Sequence, residues 1–248
     1  MMSKTVLSIR RNNPLVLFLT NTVTENFCAN VLLALGGSPI MSHAINEIAQ
    51  LMENVDSLVV NIGTLKDEFI KLVLLVIEIA NAKGVTIVLD PVGAGASKYR
   101  TDFALSIIDK AHDLILRCNA AEAISLNSLT INSRGVDSDS YLEVGLAAAQ
   151  ELIKHDSIKQ IILTGVIDYA ISNSEILINN YGNKIMTQVT GMGCALAGCL
   201  AAITSINDDR LLSIFDVLQH YTLAAEYAAK KSSGPGTFVP LFLDGLAK

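Results

Sequence analysis

Tryptophan is absent from the 248-residue sequence, and neither a long apolar run nor a cluster of basic residues interrupts it. A helix needs roughly 20 consecutive apolar residues to span a bilayer. The richest stretches here are Leu72–Ile77, fenced by Lys71 and Glu78, and the short, small-residue segment Met192–Ile203. No membrane span is expected. The first residues carry Lys4, Arg10 and Arg11, but their apolar positions are too few and too broken for a secretory signal. A cytoplasmic location is therefore expected. The net charge is −6, with Lys and Arg dispersed, so no electrostatic footprint for nucleic acid exists.

Cysteine and histidine are scarce too, at four each. Cys28, Cys118, Cys194 and Cys199 form no CxxC pair, and Cys194 and Cys199 would sit about 140° apart around a helix. That pattern excludes a zinc cage and favours reduced thiols. Only 17% of residues are charged while 51% are hydrophobic, which ensures a sizeable core. It also points to apolar surface covered by other copies of the chain.

Short β-branched runs alternate with helical patterns. The strands expected are Leu15–Leu19, Ser57–Asn61, Val85–Leu89, Asp113–Arg117 and Gln160–Leu163. Helices are expected near Glu25–Leu35, Ala44–Glu53, Leu65–Ala82, Thr101–Lys110 and Asp139–Lys154. Apolar strands separated by helices imply an α/β fold with a parallel sheet covered on both faces. After Gly165, the segments Asp168–Ser172, Glu175–Asn179 and Lys184–Thr187 suggest a small antiparallel edge. Three helices near Gly193–Ile203, Leu211–Lys231 and Val239–Ala247 finish the chain. No repeat or linker divides residues 1–248, so one domain is expected.

Ligands of such sheets collect beyond the carboxyl ends of the strands. Those positions hold Thr20-Asn21, Gly63-Thr64, Asp90-Pro91-Val92-Gly93, Asn119 to Glu122, and Thr164-Gly165. Val189-Thr190-Gly191-Met192-Gly193-Cys194 then leads into an apolar helix, whose free amides and dipole suit an anion. It is also an ordinary tight turn allowing close packing. It matches neither the dinucleotide GxGxxG nor a Walker loop, since no Gly-Lys-Ser/Thr occurs.

Each candidate has a plainer alternative. Cys194, in the first helical turn, is a nucleophile or base with lowered pKa, or a small buried apolar residue. Asp90 is a Mg²⁺ organiser or a turn-former before proline. Glu122 is a second such acid or the far end of a capping box begun by Asn119. Arg117 grips a phosphate or makes a structural ion pair. Met41 is a wall for an aromatic substrate or core. Asn21 binds substrate or caps a helix, and Thr164 touches nucleotide or merely ends a strand.

Taken together, several segments point one way: Thr20-Asn21, Gly36-Gly37-Ser38-Pro39-Ile40-Met41, Asn61-Ile62-Gly63-Thr64 and Asp90-Pro91-Val92-Gly93-Ala94-Gly95. Tyr99-Arg100-Thr101, Arg117 with Asn119 to Glu122, Gly135-Val136-Asp137-Ser138, Thr164-Gly165, Val189 to Cys194 and Gly234-Pro235-Gly236 continue the series. In this order they resemble the hydroxyethylthiazole kinases, a branch of the ribokinase-like superfamily.

The resemblance implies a three-layer αβα sandwich with a mostly parallel central sheet and a small antiparallel edge. It implies transfer of phosphoryl from ATP, with Mg²⁺, to a thiazole alcohol in thiamine salvage. A homotrimer with substrate sites between subunits follows in the same way. Met41, Gly191, Asn21 and Gly63 are then expected at the substrate. Arg117, Thr164 and Asn119 are expected at the nucleotide, and Asp90 and Glu122 at Mg²⁺. Gly191, Gly193 and Cys194 are expected at the reacting groups, with Cys194 standing where related sugar and pyrimidine kinases place an Asp base. Leu17-Phe18 departs from a family His-Asn pair and is expected to make one edge of the substrate site more apolar. Asn46 replaces a frequent acid, and Cys118 a glycine beside the nucleotide. Alternatives are a hydroxymethylpyrimidine or pyridoxal kinase, a hydrolase with Cys194 as nucleophile, and a nonenzymatic binder.

Overall fold

The computed structural model describes residues 3–127, 138–205 and 209–248. Its sheet comprises β1 (Leu15–Leu19), β2 (Ser38–Met41), β3 (Ser57–Asn61), β4 (Thr86–Asp90), β5 (Leu114–Asn119), β6 (Ile158–Thr164), β7 (Asp168–Ile171) and β8 (Ile176–Asn179). The strand order is β2-β1-β3-β4-β5-β6-β7-β8. Pairings from β2 through β6 are parallel, whereas β6–β7 and β7–β8 are antiparallel. All five residues of β3 and of β4 are buried, as two covered faces require.

Helices cover both faces. On one lie α3 (Ile48–Leu51), α4 (Asp67–Lys83), α5 (Lys98–Lys110), α6 (Ala120–Leu126) and α7 (Ser138–Leu152). On the other lie α1 (Lys4–Asn12), α2 (Glu25–Leu35), α8 (Met192–Ala201), α9 (Arg210–Lys231) and α10 (Pro235–Leu246). Helix α4 shows why they stay there: Phe69, Leu72, Val73, Val76, Ile77 and Ala80 recur every three or four residues and are all buried. It ends at Gly84, whose φ of 66° suits a left-handed cap.

The three-layer α/β architecture and its antiparallel edge agree with the sequence, but several elements differ. Lys184–Gln188 is a 3₁₀ helix rather than a third edge strand, and none of its residues is buried. The helix expected over Ala44–Glu53 shrinks to Ile48–Leu51, because only Ile48 of that turn is fully buried. The last helix starts early, with Pro235 in its first turn, where a missing N–H costs nothing. Helix α1 and strand β2 are additions. Gly135, Val136 and Asp137 lie outside the described residues.

Alternation along the strands aims the chemistry. In β3, β4 and β5, Val59, Val88 and Ile115 pack toward α8, while Leu58, Ile87 and Leu114 pack toward α4–α7. Counting by twos puts Asn61, Asp90 and Arg117 on the α8 face. The register sets Asn61 opposite Asp90, and Asn119 opposite Thr164. One row of polar side chains therefore crosses the strand ends under the start of α8. The order also reverses between β1 and β3, the switch point at which such sheets open a crevice.

Candidate active site

Asp90 is the centre of the row. It is fully buried at the end of β4. Arg117 Nη1 lies 3.2 Å from its Oδ1, and Asn61 Nδ2 donates to Oδ2 at 2.7 Å. Burial pushes its pKa up, with Arg117 and Asn61 opposing that effect. An uncompensated carboxylate there costs several kcal/mol, and the pair with Arg117 offsets part of that cost. Arg117 donates from Nη2 to Thr164 Oγ1 at 2.7 Å, and its Nε has no partner among the described residues. Burial acts to lower the Arg117 pKa, yet Asp90 and Glu122 hold it above its usual range.

Helix α8 ends on this row. Gly193 lies so close to Arg117 that a β-carbon there would fall 2.6 Å from Cζ. Gly191, the N-cap, has φ 87°, and a β-carbon on it would fall 2.7 Å from Thr24 Cγ2. Glycine at both positions thus lets the free amides of α8 open beside a guanidinium. Beyond them is a cavity of about 690 Å³, lined in part by Arg117, Thr164, Gly165, Gly191, Gly193 and Tyr221. Tyr221 Oη, fully buried, donates to the Met192 carbonyl at 2.7 Å and braces the turn from α9.

Cys194 occupies the same turn, half-buried, and accepts a bond from Asn21 Nδ2 at 3.4 Å. Its pKa is raised, by burial first and by the charge of Asp90 second. Of the two readings of this residue the small, buried one fits, because desolvation and a neighbouring carboxylate both disfavour the thiolate. A thiol so placed is a poor nucleophile. Nor does a histidine serve it as base, since His43 contacts Glu25 at 2.6 Å, His155 contacts Ser157, His220 contacts the Leu246 carbonyl, and His112 is exposed at the start of β5, at the opposite end of the strands. The other three cysteines are buried and unpaired, and burial pushes Cys28 up to about 12.

On the β1–β3 side, Asn61 joins two loops. Its Oδ1 accepts from Asn21 Nδ2 at 2.9 Å and from the Gly63 amide at 3.0 Å. Asn21, Gly63, Asn61, Asp90 and Cys194 thus share one network. Asn61 has no role among the expected site residues, although a polar residue closing an otherwise apolar strand is the signal that marks it. Met41 ends β2 opposite Phe18, half-buried against the α8-side core.

Glu122 and Asn119 realise the capping box of α6. Asn119 Oδ1 accepts from the Glu122 amide, and Glu122 Oε2 from the Asn119 amide, both at 2.9 Å. Glu122 Oε1 also accepts from the Gly93 amide at 3.0 Å, tying α6 to the loop after Asp90. Burial first, then the charge of Asp90, pushes the Glu122 pKa up.

One expectation about the departures fails. Leu17 and Phe18 line no substrate edge: both are buried inside β1, where Phe18 packs on Gly198 of α8. Cys118 is fully buried on the opposite face from Arg117, in the core under α4–α7, so its side chain does not face the cavity. Asn46 is exposed.

The model of the hydroxyethylthiazole kinase family matches residues 6–248. A hydroxyethylthiazole kinase from Serratia proteamaculans is 40% identical over 237 residues, covering 96% of this chain and 89% of that protein. One from Desulfotalea psychrophila is 38% identical over 239 residues, covering 96% and 87%. The solved hydroxyethylthiazole kinase of Pyrococcus horikoshii OT3 superposes with a TM-score of 0.89 at 32% identity, covering 98% of this chain and 91% of that one. The Staphylococcus aureus pyridoxal kinase bound to AMP-PCP and pyridoxal shares the fold, with a TM-score of 0.63 at 13% identity over 86% and 88% of the chains.

Proposed function

Because the chain belongs to the hydroxyethylthiazole kinase family, we propose that it transfers the terminal phosphoryl group of ATP to the hydroxyl of 4-methyl-5-(2-hydroxyethyl)thiazole, a salvage step toward thiamine. The observation that carries this reading is the meeting of the Gly193 turn and Arg117 in the wall of one cavity, with Asp90 paired to Arg117 behind it. Phosphoryl transfer through a loose transition state asks mainly for positioning and charge stabilisation, and this arrangement supplies both.

The free amides of α8, behind Gly191 and Gly193, receive the migrating group. Arg117 and Thr164, already bonded to each other, take the nucleotide side with Asn119 nearby. Asn21, Gly63, Met41 and Gly191 form the alcohol side. Cys194, with its raised pKa, gives weak base assistance and mainly fills the space beside the acceptor oxygen.

Asp90 and Glu122 fit a Mg²⁺ ion. Both are hard oxygen donors whose pKa values burial raises, and the charge of Asp90 raises that of Glu122 further, so a cation relieves their proximity. Their oxygens already accept one bond apiece but keep further lone pairs, which suits contact through water. No cluster of three or more His, Cys, Asp or Glu exists among the described residues, in keeping with an ion shared with phosphates rather than caged by protein. When bound, Mg²⁺ neutralises phosphate charge.

The whole chain is read as one kinase domain that assembles as a homotrimer, with the alcohol sites near the subunit boundary. Exposed Val23, Leu33 and Ile45 around α2 and β2 support that arrangement. No helix among the described residues is long and apolar enough to cross a membrane, in keeping with a cytoplasmic enzyme.

The test is ATP consumption with the thiazole alcohol against hydroxymethylpyrimidine and pyridoxal, with and without Mg²⁺. The expected outcome is Mg²⁺-dependent turnover of the thiazole alcohol. Preference for either other alcohol would move the assignment to another ribokinase-like kinase.

A further inference from the structure

We propose that Arg100 is a positioning residue for phosphoryl transfer, holding the loop after β3 in fixed register with the loop after β4. This rests on the kinase reading above. Arg100 stands in the first turn of α5, where its amide donates to the N-cap Ser97. Its side chain reaches back over the strand ends. Nη1 donates to the carbonyls of Ile62 at 2.8 Å and Val92 at 2.9 Å, and Nη2 donates to the carbonyl of Gly63 at 3.0 Å. All three acceptors are backbone. One rigid fork therefore joins the two loops beyond the last ladder bond, from the Ile62 amide to the Asp90 carbonyl.

Each loop carries working groups. Beside Ile62 and Gly63, the Gly63 amide holds Asn61 Oδ1, and Asn61 in turn holds Asp90 and Asn21. Beside Val92, the Gly93 amide holds Glu122. Spreading the loops would separate the alcohol side from the acids. Gly93 lies under the fork, and its φ of 78° is a left-handed conformation that favours glycine. Lysine does not replace this geometry, since a single ammonium on a flexible stem lacks a planar fork that spans three fixed carbonyls. The α5 start is further tied to the same loop by Thr101 Oγ1, which accepts from the Gly95 amide at 2.9 Å.

The experiment compares wild type, Arg100→Ala and Arg100→Lys in the complete protein. It records kcat, the Mg²⁺ concentration for half-maximal rate, calorimetric affinity for Mg·ATP, and the thermal midpoint. In Arg100→Ala, kcat is expected to fall about 10- to 100-fold, as small misplacements of reacting groups do. The Mg²⁺ requirement rises, Mg·ATP binds more weakly, and millimolar guanidinium restores part of the rate. Arg100→Lys stays close to the alanine variant. If the alanine variant does not fold, Arg100→Lys carries the same measurements. Wild-type kcat and Mg²⁺ requirement in a folded variant would overturn the proposal. So would a rate loss that merely follows the folded fraction, without guanidinium rescue. An inactive wild-type control defeats the kinase reading instead, which separates the two failures.

Discussion

Gly193 rests its backbone against the guanidinium of Arg117, so closely that a β-carbon would come within 2.6 Å of Cζ. The contact fixes two partial positive centres side by side, the α8 amides and the arginine, without a side chain between them. Replacing Gly193 with alanine must push Arg117 away from Asp90 and Thr164. A loss of about 100-fold or more in kcat is expected, with a fold cost of about 1–3 kcal/mol from overpacking. Steady-state kinetics and urea unfolding of Gly193→Ala check both.

Removing the other partner tests the same contact from the opposite side. Arg117→Ala leaves Asp90 buried without a counter-charge, with the neutral Asn61 and Cys194 beside it. The expected destabilisation is about 3–5 kcal/mol, the usual result of breaking a buried ion pair from one end. Activity should disappear as well. A urea midpoint unchanged from wild type would show that Asp90 gains little from the pair.

Much of this was legible in the chain, and the remainder fails for identifiable reasons. Asp90, Arg117 and Thr164 each close a run of apolar residues, so their place at strand ends could be read directly. Asn61 closes such a run too and stands on the same face, but it was passed over as strand. Strand β2 escaped because Pro39 argues against a strand, although an edge strand tolerates proline. Helix α1 escaped because only Thr5, Val6 and Ile9 of its nine residues are buried, too short an apolar stripe to set a period. The choice between the two readings of the thiol needs the structure for a different reason. Position on a helix can be read from spacing, but desolvation and the approach of Asp90 are tertiary facts.

Cys194 gives a pH prediction from that finding. A raised pKa means less thiolate at neutral pH than an ordinary cysteine carries, so alkylation should be slow and should accelerate as pH rises beyond the usual thiol range. Cys28, Cys118 and Cys199 are buried and should lag further. Cys194→Ala is expected to keep most activity and Cys194→Asp to keep or raise it. Iodoacetamide rates against pH, with kcat for both variants, decide this. Fast labelling at neutral pH would contradict the raised pKa, and a folded but inert alanine variant would show the thiol to be chemically essential.

Tyr221 supports the turn from behind. Tyr221→Phe deletes the 2.7 Å bond to the Met192 carbonyl while keeping the ring packed on Phe242. A cost of about 1–2 kcal/mol in stability is expected, together with a lower kcat at little changed KM for the alcohol. Chemical unfolding and initial rates over a range of alcohol concentrations measure both.

Phosphorus NMR of a mixture of protein, Mg·ATP and the thiazole alcohol reads the outcome of transfer directly. ADP should accumulate in step with a new phosphomonoester resonance, and both should vanish in Asp90→Asn. ADP with free inorganic phosphate alone, or no change in the ATP signals, would contradict the assignment of this site to phosphoryl transfer onto an alcohol.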